Sequence, residues 1–209
     1  MRITKFEHSG FLIQNGVFGL LIDPVEYERA LPNFANIEAI VLTHKHSDHF
    51  QPKVLEKILA QNPSAKVFTT NDTAPEIAGS IAVRADDSVR TEHFGLEFFG
   101  QSHAEIVPGV IPCENVGVVV DGIFAHPGDS FDLPKHEVTV IAVASDGPWL
   151  KTYEAMEYIS KAKAKCFVPC HDAFSSELGR GINNNWLGRA CTEAGVELKV
   201  LAPEESLEI

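Results

Sequence analysis

Thr43-His44-Lys45-His46-Ser47-Asp48-His49 is the stretch that decides how this chain is read. Three histidines and an aspartate fall within six residues, directly behind an apolar run at 37–42. Neutral imidazole and carboxylate are what Zn²⁺ and similar divalent ions bind. In an extended or gently turning segment, residues two apart point the same way. His44 and His46 are therefore placed to share one ion, while Asp48 and His49 turn towards a neighbouring one. A solvated polar loop is the plainer alternative, but such loops seldom gather three imidazoles after a buried strand.

The surroundings of this stretch read as alternating groups of strands and helices. Upstream, residues 11–14 and 17–22 flank Asn15-Gly16, a strong hairpin signal. Downstream, Pro52 opens a helix, where a missing N–H costs nothing, and Val54, Leu55, Ile58 and Leu59 have helical spacing. Strands are expected at 66–69, 89–94, 96–99, 116–120, 122–125, 138–143, 165–168 and 197–200, with a second hairpin at Asp121-Gly122. Further helices are expected at 75–79, 151–162 and 185–194, the last capped by the asparagines at 183–185. Two sheets packed face to face with helices outside would accommodate this order.

Three more candidates each follow an expected strand. His103 stands in Gly100-Gln101-Ser102-His103, Asp129 in His126-Pro127-Gly128-Asp129-Ser130, and His171 in Val168-Pro169-Cys170-His171-Asp172. A lone histidine or a Gly-Asp-Ser turn means little by itself. The shared placement carries the weight, because sites gather on loops at one edge of a sheet.

Together these segments resemble the metallo-β-lactamase superfamily. H-x-H-x-D-H after a strand, a lone His, Gly-Asp-Ser and then Pro-x-His occur in that order between residues 44 and 171. His8-Ser9-Gly10-Phe11-Leu12-Ile13 and Leu21-Ile22-Asp23-Pro24 resemble its opening. The branch that fits best is the short, single-domain one that includes the L-ascorbate-6-phosphate lactonases. The resemblance implies an α/β fold, a four-layer αββα sandwich, as one domain over residues 1–209. It implies that His44, His46 and His103 hold a first metal ion, that Asp48, His49 and His171 hold a second, and that Asp129 bridges both. Asp23 would steady the ligand loop from behind, as a carboxylate that fixes an imidazole tautomer does. Two divalent ions follow as cofactors, Zn²⁺ first and Mn²⁺ as the alternative. The implied reaction is hydrolysis of a small, anionic molecule (lactone, phosphodiester or thioester) by a metal-bridging hydroxide, with Asp48 also orienting it.

Departures narrow the choice. Position 46 is His where a flavodiiron oxidoreductase has Glu, and Asp129 stands where the secreted β-lactamases carry Cys. No equivalent of the C-terminal helices of glyoxalase II, or of the RNA-binding arm of the tRNA-processing nucleases, stands out. The formal charge of −12, with no Lys/Arg cluster, argues against a nucleic-acid partner. The N-terminus MRITKFEHSG has no apolar export region, and no apolar run is long enough for a membrane span. A cytoplasmic enzyme with a small-molecule substrate is the expectation, oligomeric state left open. The rival classes are a metal-binding module without turnover, which a lost ligand would favour, and a nuclease, which a basic face would favour. Among further residues, His8 and His126 are leaving-group acid candidates, with structural roles the plainer reading. Cys170 beside His171 reads as a buried thiol rather than a ligand, Trp149 as core or pocket wall, and residues 27–35 as a loop able to cover the site.

Overall fold

The apolar runs of this sequence do not alternate with polar residues because most of the strands are covered on both faces. The computed structural model describes all 209 residues. The elements are β1 (Arg2–Lys5), β2 (Phe11–Asn15), β3 (Phe18–Ile22), β4 (Ile37–Val41), α1 (Pro52–Gln61), β5 (Lys66–Thr69) and β6 (Ile81–Ala82), with a 3₁₀ turn at Ala74–Glu76. The second half runs β7 (Ser88–Arg90), β8 (Gly95–Phe99), β9 (Gly117–Val120), β10 (Phe124–His126), β11 (Val138–Ala144), α2 (Thr152–Lys161), β12 (Ala164–Cys170), α3 (Glu177–Ala194), β13 (Glu197–Leu198) and β14 (Ser206–Glu208).

Two seven-stranded sheets result, ordered β14-β1-β2-β3-β4-β5-β6 and β13-β12-β11-β10-β9-β8-β7. Successive side chains of a strand point to opposite faces, and the burial follows that period. Phe11, Ile13, Leu20, Ile22, Ala39 and Val41 meet Phe98, Val118, Val120, Val140, Ala142 and Val168 in the core between the sheets. The intervening Leu12, Leu21 and Ile40 face outwards and pack on Val54, Leu55 and Ile58 of α1. Val119, Ile141, Val143 and Phe167 do the same against Ala155 and Ile159 of α2 and Leu187 of α3. Helix, sheet, sheet, helix is the αββα sandwich that the resemblance implied. Each fully buried Val, Leu or Ile contributes roughly 1.5–3 kcal/mol. No helix is long and apolar enough to cross a membrane.

The topology gathers one set of loops at one edge. Strands β3 to β6 run parallel, as do β10 to β13. Strand β8 is antiparallel to β9, and β9 to β10, so β8 shares the direction of β10. The residues that follow β3, β4, β8, β10, β11 and β12 therefore lie at a common end, the crevice where open α/β sheets place their ligands. The turn before β2 joins them, because β2 is antiparallel to β3.

Some local expectations are corrected. Helix α3 begins at Glu177, capped by Ser176, whose Oγ accepts the Gly179 N–H at 3.1 Å. The asparagines at 183–185 lie inside it and cap nothing. Of the expected strand at 89–94 only Val89 and Arg90 pair, within β7, since Thr91 and Phe94 close a turn (Thr91 N to Phe94 O, 2.9 Å). The Asp121-Gly122 hairpin forms with φ of 50° and 66° at its two residues.

Candidate metal centre

The site is assembled from behind by Asp23, the residue after β3. Its carboxylate is fully buried. Oδ1 accepts the Thr43 N–H at 2.8 Å, and Oδ2 accepts the Thr43 hydroxyl at 2.7 Å. Oδ2 also lies 2.7 Å from His49 Nδ1. A carboxylate there holds the Nδ1 proton of His49, so in the neutral imidazole that an ion needs it is Nε2 whose lone pair faces inwards. Two more histidines are oriented by the same logic. His44 Nδ1 lies 3.0 Å from the Thr43 hydroxyl oxygen, and His103 Nδ1 lies 2.6 Å from the Ala104 carbonyl. The inward atoms are again Nε2.

Around this frame the seven residues expected as ligands come together. The potential donor atoms of His44, His46 and His103 lie within 4.8 Å of one another, and so do those of Asp48, His49 and His171 together with His8, which the sequence did not mark as a ligand. Asp129 sits between the two groups. Its Oδ1 is 3.1 Å from His49 Nε2, and its Oδ2 is 3.0 Å from His171 Nε2 and 3.3 Å from His103 Nε2. The Asp129 turn is held by Asn115, which accepts the Asp129 N–H and donates to the Pro127 carbonyl. Gly128 makes that turn possible: its φ is +64°, and a Cβ there would stand 2.2 Å from Asn115 Oδ1.

The fit to a metal is testable on atoms left without partners. His49 Nε2, His103 Nε2, His171 Nε2 and Asp129 Oδ1 are all buried, and apart from these close approaches to one another none has a hydrogen-bond partner. An unsatisfied buried polar atom costs about 1–3 kcal/mol, so a convergent group of them points to a binding partner. Imidazole nitrogens and carboxylate oxygens suit a divalent ion, and the residues fit.

Electrostatics agree with the crowding. Burial and neighbouring imidazoles hold His44 well below the usual histidine range. Burial also opposes a charge on His49, but Asp129 and Asp23 outweigh it and raise His49 well above that range. Asp129 is buried, yet His49 and His171 keep its carboxyl far below the ordinary value. Asp48 is lowered to about 2, its partial burial outweighed by the hydrogen bond from His8 and the nearby His49.

Several other residues find definite places. His8 is fully buried, with Nε2 3.4 Å from Asp48 Oδ2 and Nδ1 accepting the Ala173 N–H at 3.3 Å. Its carbonyl accepts the His171 N–H at 2.9 Å, which ties the two sheets together at the site. His8, Asp23 and His171 all have positive φ (58°, 44° and 57°), a conformation costly outside glycine. Tyr27 and Phe174 pack against the His8 ring, and Glu7 accepts the Tyr27 and Arg29 N–H groups, pinning the start of the 27–35 loop beside the site. His126 is excluded as an acid: its Nε2 faces the Ser9 carbonyl and its Nδ1 accepts the Gly128 N–H. Burial pushes it down to about 4. Cys170 lies in the inter-sheet core, whereas Cys113, unanticipated, places Sγ 3.6 Å from His46 Nε2. Trp149 donates its indole N–H to Asp129 Oδ2 at 2.8 Å.

Comparisons with known proteins place the chain in a family. The family model described as "Beta-lactamase superfamily domain" matches residues 2–171. The chain belongs to this superfamily. Its fold is the metallo-β-lactamase fold. A superfamily relative over its whole length, Protein Rv0786c of Mycobacterium tuberculosis, is 31% identical over 212 residues, covering 99% of this chain and 98% of the relative. A UPF0173 metal-dependent hydrolase of Oenococcus oeni is 25% identical over 198 residues, covering 82% of this chain and 85% of that one. Among solved structures, Igni18, a metallo hydrolase from the archaeon Ignicoccus hospitalis, superposes with a TM-score of 0.75 at 20% identity, covering 100% of this chain and 98% of that one.

Proposed function

We propose that the chain is a metal-dependent hydrolase that holds two divalent ions, Zn²⁺ first and Mn²⁺ as the alternative, and acts on a small anionic molecule. The observation that carries this reading is the convergence of buried, unpartnered ligand atoms on His49, His103, His171 and Asp129. Their division supports two ions rather than one. His44, His46 and His103 form one group, Asp48, His49 and His171 the other with His8 beside them, and Asp129 reaches towards both. The metal-dependent hydrolase of Oenococcus oeni and the metallo hydrolase Igni18 support the reaction class.

Two divalent ions held by these residues would supply a bound water with its pKa lowered from about 15.7 towards roughly 7. The protein supplies position and charge. Asp23 keeps the Nδ1 proton of His49, so that Nε2 is the nitrogen that would give its lone pair to an ion. Asp48, partly exposed, is ionised across the neutral range and can accept a hydrogen bond from a water, and its Oδ2 lies 3.4 Å from His8 Nε2. The two carboxylates Asp48 and Asp129 do not balance two doubly charged ions, so the centre stays positive and favours an anionic or carbonyl-bearing substrate. Lactones, phosphodiesters and thioesters satisfy that demand, and a phosphorylated lactone combines two of its features, in line with the lactonase branch. A small substrate met in the cytoplasm suits a chain with a net charge of −12 better than a nucleic acid does.

The test has two stages. Elemental analysis of protein purified without chelator should find about two divalent ions per chain. A hydrolysis screen over phosphodiesters, phosphorylated lactones and thioesters then identifies the bond, and Asp129→Ala should abolish activity on the best hit. No metal after incubation with Zn²⁺ or Mn²⁺, or full activity in Asp129→Ala, would overturn the reading.

A further inference from the structure

Trp149 follows β11 in the sequence Asp146-Gly147-Pro148-Trp149 and is 7% exposed. Among the polar contacts of Asp129 Oδ2, its indole N–H is the nearest, at 2.8 Å against 3.0 Å to His171 and 3.3 Å to His103. An indole has one donor and no acceptor, so it cannot itself ligate an ion. Its position is set from two further sides. The Phe131 ring stands edge-on at 5.4 Å between centroids. Gly147 leaves the space, since a Cβ there would lie 3.0 Å from Trp149 Nε1 and 3.3 Å from His171 Cε1. A tryptophan that served packing alone would need neither the aimed N–H nor the missing Cβ.

We propose that Trp149 is a positioning residue for Asp129, holding the carboxylate so that Oδ1 faces His49 while Oδ2 faces His103 and His171. An ionised carboxylate has about four lone-pair sites. The indole occupies one on Oδ2 and fixes the rotation of the group, and the others remain free for metal. The inference rests on the reading of this cluster as a metal centre.

Trp149→Phe keeps an aromatic ring and removes the donor. Competition with a chromophoric chelator should show Zn²⁺ bound about 10–100-fold more weakly than by the wild type, the usual cost of losing a partner behind a ligand. Unchanged Zn²⁺ affinity and stoichiometry in Trp149→Phe, whatever its stability, would overturn the inference and leave the metal reading intact. A wild-type protein that binds no Zn²⁺ would overturn both. If Trp149→Phe does not fold, Trp186→Phe decides the question, because Trp149 is then the single tryptophan and Trp186 is 42% exposed and outside the site. In a ¹⁵N-labelled sample of that variant the remaining indole N–H should be protected from solvent exchange and should shift when Zn²⁺ is added. A rapidly exchanging resonance, or one that Zn²⁺ does not move, refutes the role.

Discussion

Asp23→Asn changes one atom of the site's support and should disable a histidine it never replaces. Asp23 Oδ2 faces two groups, the Thr43 hydroxyl and His49 Nδ1, each at 2.7 Å, while Oδ1 accepts the Thr43 N–H. Asparagine keeps the Oδ1 contact and puts an NH₂ where Oδ2 was. The Thr43 hydroxyl can rotate and accept from it. His49 has no such freedom: to accept from the amide, its Nδ1 must lose the proton, which then moves to Nε2. Nε2 is the atom that faces Asp129 and the centre, and a protonated Nε2 has no lone pair for an ion. Loss of such a partner typically costs 10–100-fold in metal affinity, or about 1.4–2.8 kcal/mol. Exchanging a charge-assisted hydrogen bond for a neutral one should also cost the metal-free fold about 1–1.5 kcal/mol. Chelator competition reads the first effect and urea unfolding of the metal-free protein the second. If Asp23→Asn binds the same number of ions with unchanged affinity, the tautomer argument is wrong.

The site carboxylates set a pH dependence for the metal-free protein. Asp48 is lowered from 3.8 to about 2, and Asp129 is also depressed. The stability these groups confer is therefore complete above about pH 4 and is lost as pH falls through their folded values. His49 is raised, so its share is present below its unfolded value of 6.5 and fades only as pH climbs through the folded one. Urea midpoints should fall steeply below about pH 4, and a midpoint that stays flat from about pH 5 to pH 2 would refute the assignment. Gly128→Ala should lose roughly 1–2 kcal/mol from its left-handed backbone alone, with more from the clash at Asn115. Because Asn115 holds the Asp129 turn, metal content should fall with stability, and wild-type metal content in that variant would separate the turn from the site.

The ligands were legible in the sequence because they lie in short polar segments behind apolar strands, where a side chain's chemistry is not masked by packing. The inner strands were legible for the opposite reason: residues 39–42 and 140–144 are apolar on both faces. What stayed hidden depends on contacts distant along the chain. Arg2–Lys5 pairs with Ser206–Glu208, so neither strand shows a local signal strong enough to declare itself. The first half of α3 carries Leu178 and Ile182 towards solvent and Gly179 and Gly181 in its turns, which erases the helical apolar pattern. Asn115 and Cys113 belong to no motif and reach the site only through the turns that bring them there.

The same division of labour explains why the centre costs the metal-free chain so much. His8, Asp23 and His171 hold unfavourable backbone conformations, and four ligand atoms of His49, His103, His171 and Asp129 stay buried without partners. Local strain and unpaired polar atoms of this kind persist only where the surrounding structure over-determines them. Here the two sheets do so: the His171 N–H is bonded to the His8 carbonyl from one side and Asp23 grips Thr43 and His49 from the other. An ion that meets these atoms finds its ligands already placed, so the cost of ordering them falls on folding rather than on binding. Metal should consequently raise the stability of the whole sandwich, by about 2.7 kcal/mol at a free concentration one hundred times the dissociation constant. A melting temperature that does not move under saturating Zn²⁺ would mean that these atoms are not waiting for an ion.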